Sequence, residues 1–118
     1  MKALVLVLIG LSCFACAQVR TSDQEAVEYA RRLIVGTNPV VRDGGYVPDQ
    51  STAIRIATAV LIPIYGEKIE DGEKPWRAGL KGDVWTVVGT FHGKGSGGEA
   101  IVQLSKTSGA VLFVTHTM

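Results

Sequence analysis

The sequence has few of the residues on which catalytic and metal sites depend. It contains two cysteines and two histidines in 118 residues. Zinc sites usually need three or four ligands of these types, so we expect no metal centre. No serine lies in a nucleophile-elbow motif, and no histidine and carboxylate are spaced in a way that predicts a catalytic pair. We therefore predict a protein that is not an enzyme and that has no cofactor.

An excess of charge of either sign is also missing. The chain has 12 basic and 11 acidic residues and a net charge of +1 at neutral pH. A chain with so little net charge has no general attraction for nucleic acid or for an anionic membrane surface. No nucleic-acid partner is therefore predicted.

A long apolar run is absent as well. The N-terminal run Ala3–Leu11 is too short to cross a bilayer, which takes about 20 residues. It has the length of the apolar region of a signal peptide. The small residues of Ala15–Ala17 then predict cleavage before Gln18. On this interpretation residues 1–17 are a signal peptide and residues 18–118 form one domain.

Both cysteines lie in this N-terminal segment, so no disulfide is predicted in the mature domain. Lipoprotein processing at Cys16 or Cys13 is a second interpretation, although neither cysteine has the usual leucine three residues upstream. Both interpretations stay open. Each predicts an exported protein of the periplasm or envelope, either soluble or attached to the membrane only through an N-terminal lipid.

The segment Tyr46–Gly66 predicts the helix around which the domain is organised. Asp49 and Ser51 are both good N-cap residues. Pro63 removes a backbone donor, so the helix should kink near Ile62 and finish by Gly66. Two adjacent apolar rows predict that most of the helix is buried, with Arg55 and Thr58 on its polar side. The rows are Ile54, Ala57, Leu61 and Ile64, and Ala53, Ile56, Val60 and Pro63.

The remaining pattern predicts an α+β domain. A capping box at Ser22 and Glu25 begins a first helix, Asp23–Val35. The run Gly66–Lys74 is expected to be a solvated connection, in which Ile69 belongs to a short edge strand. Short connections favour an antiparallel sheet of about four strands, with the helices on one face and the sheet curled around the central helix. The predicted strands are Pro75–Lys81, Val84–Phe91, Ala100–Ser105 and Ala110–His116.

Six side chains are candidates for contact with a partner or for lining a pocket. Core packing is the default interpretation of the large aromatic residues, but those exposed at the mouth of a curved sheet would anchor a partner or ligand. The glycine-rich loop Gly93–Gly98 matches a dinucleotide-binding string, but a strand follows it and no helix, so we interpret it as a flexible hairpin loop. His92 is expected at a strand end, and His116 is expected to face solvent. The candidates are Tyr65, Trp76, Trp85, His92, Lys94 and His116.

Several short runs, in the same order, resemble the NTF2-fold immunity protein family. The resemblance extends from about Gly45 to His116, so the predicted first helix lies outside it. It implies a cone-shaped fold in which a curved antiparallel sheet wraps over helices and encloses a pocket. It also implies binding to a cognate toxin of a bacterial polymorphic-toxin system. The runs are Gly45–Asp49, Thr52–Ala57, Pro63–Gly66, Lys74–Trp76, Asp83–Thr90, Gly93–Gly98 and Val114–His116.

The residues and the resemblance together predict an exported, non-enzymatic binding protein that neutralises a toxin. One alternative is an envelope protein that binds a small ligand in the cone pocket, or an enzyme of the wider NTF2-like group. Another is a homodimer that pairs its exposed sheet face across a two-fold axis.

Overall fold

The computed structural model describes residues 21–40 and 42–118, in two compact units that divide near residue 41. The predicted leader, residues 1–17, lies outside the described residues, so the predicted domain bounds stay a prediction. Among the described residues, no helix is long and apolar enough to cross a membrane.

The first unit contains helix α1, Ser22–Ile34. Its N-cap is Thr21, whose hydroxyl accepts a hydrogen bond from the Gln24 N–H at 3.2 Å, while the Gln24 side chain accepts one from the Thr21 N–H at 3.0 Å. The predicted helix is confirmed, but the predicted capping box at Ser22 and Glu25 is wrong by one residue. Two overlapping strings, T-x-x-Q and S-x-x-E, both satisfy the motif, and sequence alone does not rank them.

The second unit is built around α2, Gln50–Tyr65. Asp49 is its N-cap and accepts a hydrogen bond from the Thr52 N–H at 2.8 Å. Pro63 lies in the last turn, and the helix ends at Gly66, whose positive φ of 99° suits glycine. The predicted helix is therefore confirmed with its cap and its end.

The predicted burial of α2 is too broad. Only Ala53, Ala57, Thr58 and Leu61 are buried, whereas Ile64 is 56% exposed. Because α2 packs against three strands on one side, a narrow stripe of the helix is enclosed. Thr58, predicted on the polar side, satisfies its hydroxyl within the helix by donating to the Ile54 carbonyl at 3.0 Å.

A short helix, α3, follows at Lys68–Gly72, where an edge strand was predicted. Ile69 is buried against the core rather than placed in a strand. The acidic side chains of α3 are exposed, and Asp71 accepts a hydrogen bond from the Lys74 ammonium at 2.7 Å. Residues Lys68–Gly72 therefore form a short helix with one apolar residue, Ile69, directed at the core. A helix of five residues is too short to show a helical period in the sequence.

Four antiparallel strands form one open sheet in the order β1-β2-β3-β4, which confirms the α+β fold class. The register opposes Ala78 to Val87 and Val87 to Val102. The strands are β1 Arg77–Lys81, β2 Val84–Val88, β3 Ala100–Ser105 and β4 Val111–His116.

The core lies between α2 and one face of the sheet. β2 and β3 alternate buried and half-buried residues, as expected for strands with one covered face. α2 packs on β1, β2 and β3, while β4 lies beside β3. The first half of β4 is consequently exposed, so its strong apolar character does not mark a buried strand. The buried hydrophobic residues are Val47, Ala53, Ala57, Leu61, Ile69, Trp85, Val87, Ala100, Val102 and Leu104.

Candidate functional site

Four of the six candidate side chains come together where β2 and β4 end and β3 begins. Tyr65 is the last residue of α2, Trp76 precedes β1, His92 follows β2, and His116 ends β4. A fifth residue, Glu73, joins them from the end of α3. We call these five residues and the backbone that holds them the Glu73 end of the sheet.

Glu73 organises this end. Its side chain is only 12% exposed, and one carboxylate oxygen, Oε1, accepts a hydrogen bond from the Ala100 N–H at 2.7 Å. The other oxygen lies 3.2 Å from His116 Nε2. The absence of a side chain at Gly89 leaves space for the Glu73 side chain, since a Cβ at Gly89 would lie 2.8 Å from the Glu73 Cβ. The prediction that Glu73 belongs to a solvated connection is therefore wrong.

His116 is half-buried, with 31% of its side chain exposed, so the prediction that it faces solvent is also wrong. Its Nδ1 lies 2.8 Å from the Thr117 carbonyl oxygen and its Nε2 lies against the Glu73 carboxylate. Both neighbours are acceptors when the carboxylate is ionised, so both contacts are satisfied when both ring nitrogens carry hydrogen. The sequence spacing gave no sign of this histidine–carboxylate pair, because the two residues are 43 positions apart.

The Tyr65 ring packs on the His116 ring. The ring centroids are 5.5 Å apart and the planes are tilted by 52°. Tyr65 remains 44% exposed, so much of its ring faces solvent. The result is an exposed tyrosine that packs on His116, and His116 in turn contacts the mostly buried carboxylate of Glu73.

The backbone after Glu73 is fastened to the end of β2. The Thr90 N–H donates to the Glu73 carbonyl at 2.8 Å, and the Thr90 hydroxyl donates to the Pro75 carbonyl at 2.6 Å. The His92 ring contacts the Lys74 carbonyl through Nε2. β2 ends at Val88, earlier than predicted, although the Gly89 N–H still donates to the Ala100 carbonyl at 3.0 Å.

Trp76 is half-buried at the same end. Its indole N–H donates to the Glu70 carbonyl at 2.8 Å, which ties the start of β1 to α3. A Cβ at Gly89 would lie 3.0 Å from its ring, so the indole and Glu73 share the space above that glycine. Trp76 thus supports the site more than it presents a free surface.

Trp85 and Lys94 lie elsewhere. Trp85 is buried, and its indole N–H donates to the Val47 carbonyl at 2.7 Å, so it is a core residue. Lys94 is exposed in the glycine-rich loop. That loop is shaped by Phe91, because a Cβ at Gly93 would lie 2.7 Å from the Phe91 ring and one at Gly97 would also overlap it.

A second cluster of polar groups holds the opposite end of the sheet. Asp83, in the β1–β2 turn, accepts hydrogen bonds from the Thr107 hydroxyl at 2.5 Å and the Ser105 hydroxyl at 2.9 Å. The Thr107 hydroxyl and then the Ser105 hydroxyl hold the pKa of Asp83 below its ordinary value. A cavity of about 220 Å³ beside this cluster is lined by Arg42, Gly45, Tyr46 and Thr107.

The polar groups of the Glu73 end bond within the protein, and its most exposed aromatic side chain is Tyr65. Among residues 21–40 and 42–118, no group of three or more histidine, cysteine, aspartate or glutamate side chains is placed to hold a metal ion. The polar atoms of Glu73 are directed at the protein's own backbone and at His116. They fix the shape of a surface whose exposed part is aromatic.

The comparison with protein families identifies the class. Residues 52–118 match the family described as NTF2 fold immunity protein. This match covers more than half of the chain, so the chain belongs to that family, as the resemblance predicted. All five residues of the Glu73 end lie within the matched range. No curated protein and no solved structure matched the chain.

Proposed function

We propose that this protein is an exported, non-enzymatic immunity protein that binds and neutralises a cognate bacterial toxin through the Glu73 end of its sheet. Membership of the immunity protein family supports the toxin as partner. The observation that carries the choice of surface is the exposed Tyr65 ring packed on His116, which Glu73 holds in place.

This arrangement has the properties of an interface anchor. Aromatic side chains contribute a large share of interface energy, and most of that energy comes from few residues. A side chain that is already held in its binding conformation loses little entropy on association.

Co-expression tests the function. The full-length gene and a toxin gene from its own neighbourhood are expressed together, with the toxin directed to the periplasm. We expect cells to survive and the toxin to co-purify with the protein. The toxin proposal fails if the protein neither protects cells nor forms a complex.

Two tyrosine variants test the surface. Tyr65→Ala should weaken toxin binding by about tenfold or more, the effect expected of an interface anchor. Tyr29→Ala is the matched control, since Tyr29 is 60% exposed but lies outside the residues that match the family. Binding is measured by calorimetry. Equal loss in both variants, or no loss in Tyr65→Ala, would place the interface elsewhere.

Export is supported by the N-terminal pattern of the sequence. Cell fractionation followed by intact-mass measurement tests it. We expect a chain that begins at Gln18, or a lipid-modified chain that begins at Cys13 or Cys16, in the envelope fraction. An unprocessed chain in the cytoplasm would contradict export.

A further inference from the structure

The two edges of the sheet differ in charge. β1, at one edge, carries Arg77 and Lys81 at its two ends. β4, at the other edge, has the sequence Val-Leu-Phe-Val-Thr-His and contains no lysine, arginine, acid or proline. Charged residues and proline are the usual means by which proteins keep exposed edges from pairing. The β1 edge has this protection, and β4 has only His116 at its end.

β4 also exposes its apolar side chains. Val111, Leu112 and Phe113 are 46%, 53% and 54% exposed. Such exposure in three consecutive apolar residues is unusual for an edge strand, and exposed apolar patches often mark interaction surfaces. The apolar residues and the missing edge charges therefore coincide on one strand.

The hydrogen bonds of β4 show which backbone groups are directed away from the sheet. The Thr117 N–H donates to the Glu99 carbonyl at 3.0 Å, so residue 117 faces β3. Bonding to a neighbouring strand alternates along an antiparallel pair, so Thr115 and Phe113 face β3 and Val114 and His116 face outward. No described strand pairs with the outer side of β4.

We propose that β4 is the interface of a homodimer, in which the β4 strands of two copies pair antiparallel across a two-fold axis at Val114. In this register the outward N–H of Val114 donates to the Val114 carbonyl of the second copy, and the Val114 carbonyl accepts from the N–H of that copy's Val114. Phe113 is then opposite the second copy's Thr115, and the two Phe113 rings are diagonal neighbours within reach of each other.

A second copy fits this edge because the strand is complementary to itself. Antiparallel pairing places no two acids and no two lysines or arginines opposite each other. It adds backbone hydrogen bonds and covers the apolar residues in one step. This edge-to-edge dimer differs from the dimer through the sheet face that was considered from the sequence, because here the two four-stranded sheets join into one continuous sheet.

Analytical ultracentrifugation of the protein purified after expression of the full-length gene tests the dimer. We expect the wild-type protein to have twice the monomer mass at micromolar concentration. Phe113→Lys places two positive charges near each other at the axis and should give a monomer. Leu80→Lys is the matched control, since Leu80 is 44% exposed on the other edge strand and should leave the dimer intact.

A cysteine variant tests the register independently of Phe113→Lys. Directly opposed residues of a hydrogen-bonded antiparallel pair have Cα atoms about 5.5 Å apart, which suits a disulfide. Val114→Cys should therefore form a disulfide-linked dimer on mild oxidation, beyond any that the wild-type Cys13 and Cys16 give. Leu80→Cys should not. A monomeric wild-type protein, or a dimer that survives Phe113→Lys without a Val114→Cys cross-link, would overturn the proposal.

Discussion

Gly89→Ala is expected to disrupt the Glu73 end of the sheet. An added Cβ would lie 2.8 Å from the Glu73 Cβ and 3.0 Å from the Trp76 ring, and it would overlap Glu73 Oε1 as well. Glu73 would have to move away from the Ala100 N–H and from His116. The substitution adds only a methyl group, but that methyl would overlap both the Glu73 side chain and the Trp76 ring.

The cost has two sources. Overpacking a filled site costs about 1–3 kcal/mol. A hydrogen bond to a charged group contributes about 1.5–3 kcal/mol, and the Ala100 N–H would lose such a bond. The protein can relieve the clash by breaking the bond, so the two costs do not simply add. We expect Gly89→Ala to lower the free energy of unfolding by about 2–4 kcal/mol.

Urea denaturation followed by circular dichroism measures this change. Gly79→Ala is the matched control, because Gly79 also lies in a strand and a Cβ there would meet nothing within 4 Å. The control should change stability by less than about 1 kcal/mol, the range of strand propensities.

A double-mutant cycle shows whether Glu73 is the cause. Glu73→Ala removes the group that the new methyl would strike, so Gly89→Ala should cost much less in that background. The expected interaction energy is about 1–3 kcal/mol, as for residues in contact. Additive effects, or a Gly89→Ala cost equal to that of Gly79→Ala, would refute the packing argument.

Three further predictions concern the core and the opposite end of the sheet. Leu61→Ala removes a fully buried side chain and should cost about 2–5 kcal/mol in urea melts, whereas little change would contradict its burial. Trp85→Phe leaves the Val47 carbonyl without its buried donor and should cost about 1–3 kcal/mol in the same assay. The pKa of Asp83 is held below its ordinary value of 3.8, chiefly by the Thr107 hydroxyl, so Asp83 stabilises the fold above about pH 4 and this contribution is lost as the pH falls through the lowered pKa. The stability difference between wild type and Asp83→Asn should therefore shrink between pH 7 and pH 3, and a difference that grows would show that the carboxylate acts otherwise.

Local signals determined which parts of the fold could be predicted. Asp49 and Gly66 mark the two ends of α2, and short polar turns mark the antiparallel strands. Burial depends on which elements cover a residue, and that information is not local. Ile64 therefore proved exposed and Thr58 buried, although the helical pattern predicted the reverse.

The candidate site was also predictable only in part, because residue types are visible in the sequence but contacts between distant residues are not. Aromatic and histidine residues are candidates for binding sites in any sequence. Four of those chosen here lie at one end of the sheet: Tyr65, Trp76, His92 and His116. Glu73 was missed because its burial depends on partners 27 and 43 positions away. A glycine within a strand often marks a close approach by another group, so Gly89 was the available signal.

The two ends of the sheet share one physical device. At one end, Glu73 accepts from the Ala100 N–H at the start of β3, and at the other, Asp83 accepts from the Ser105 hydroxyl at the end of β3. Each carboxylate comes from a different segment of the chain and fixes that segment to the same strand. The loops next to β3 therefore cannot shift without breaking a hydrogen bond to a carboxylate, and such bonds are stronger than neutral ones. A surface held in this way would need little ordering on association, which is a property that the proposed toxin interface requires.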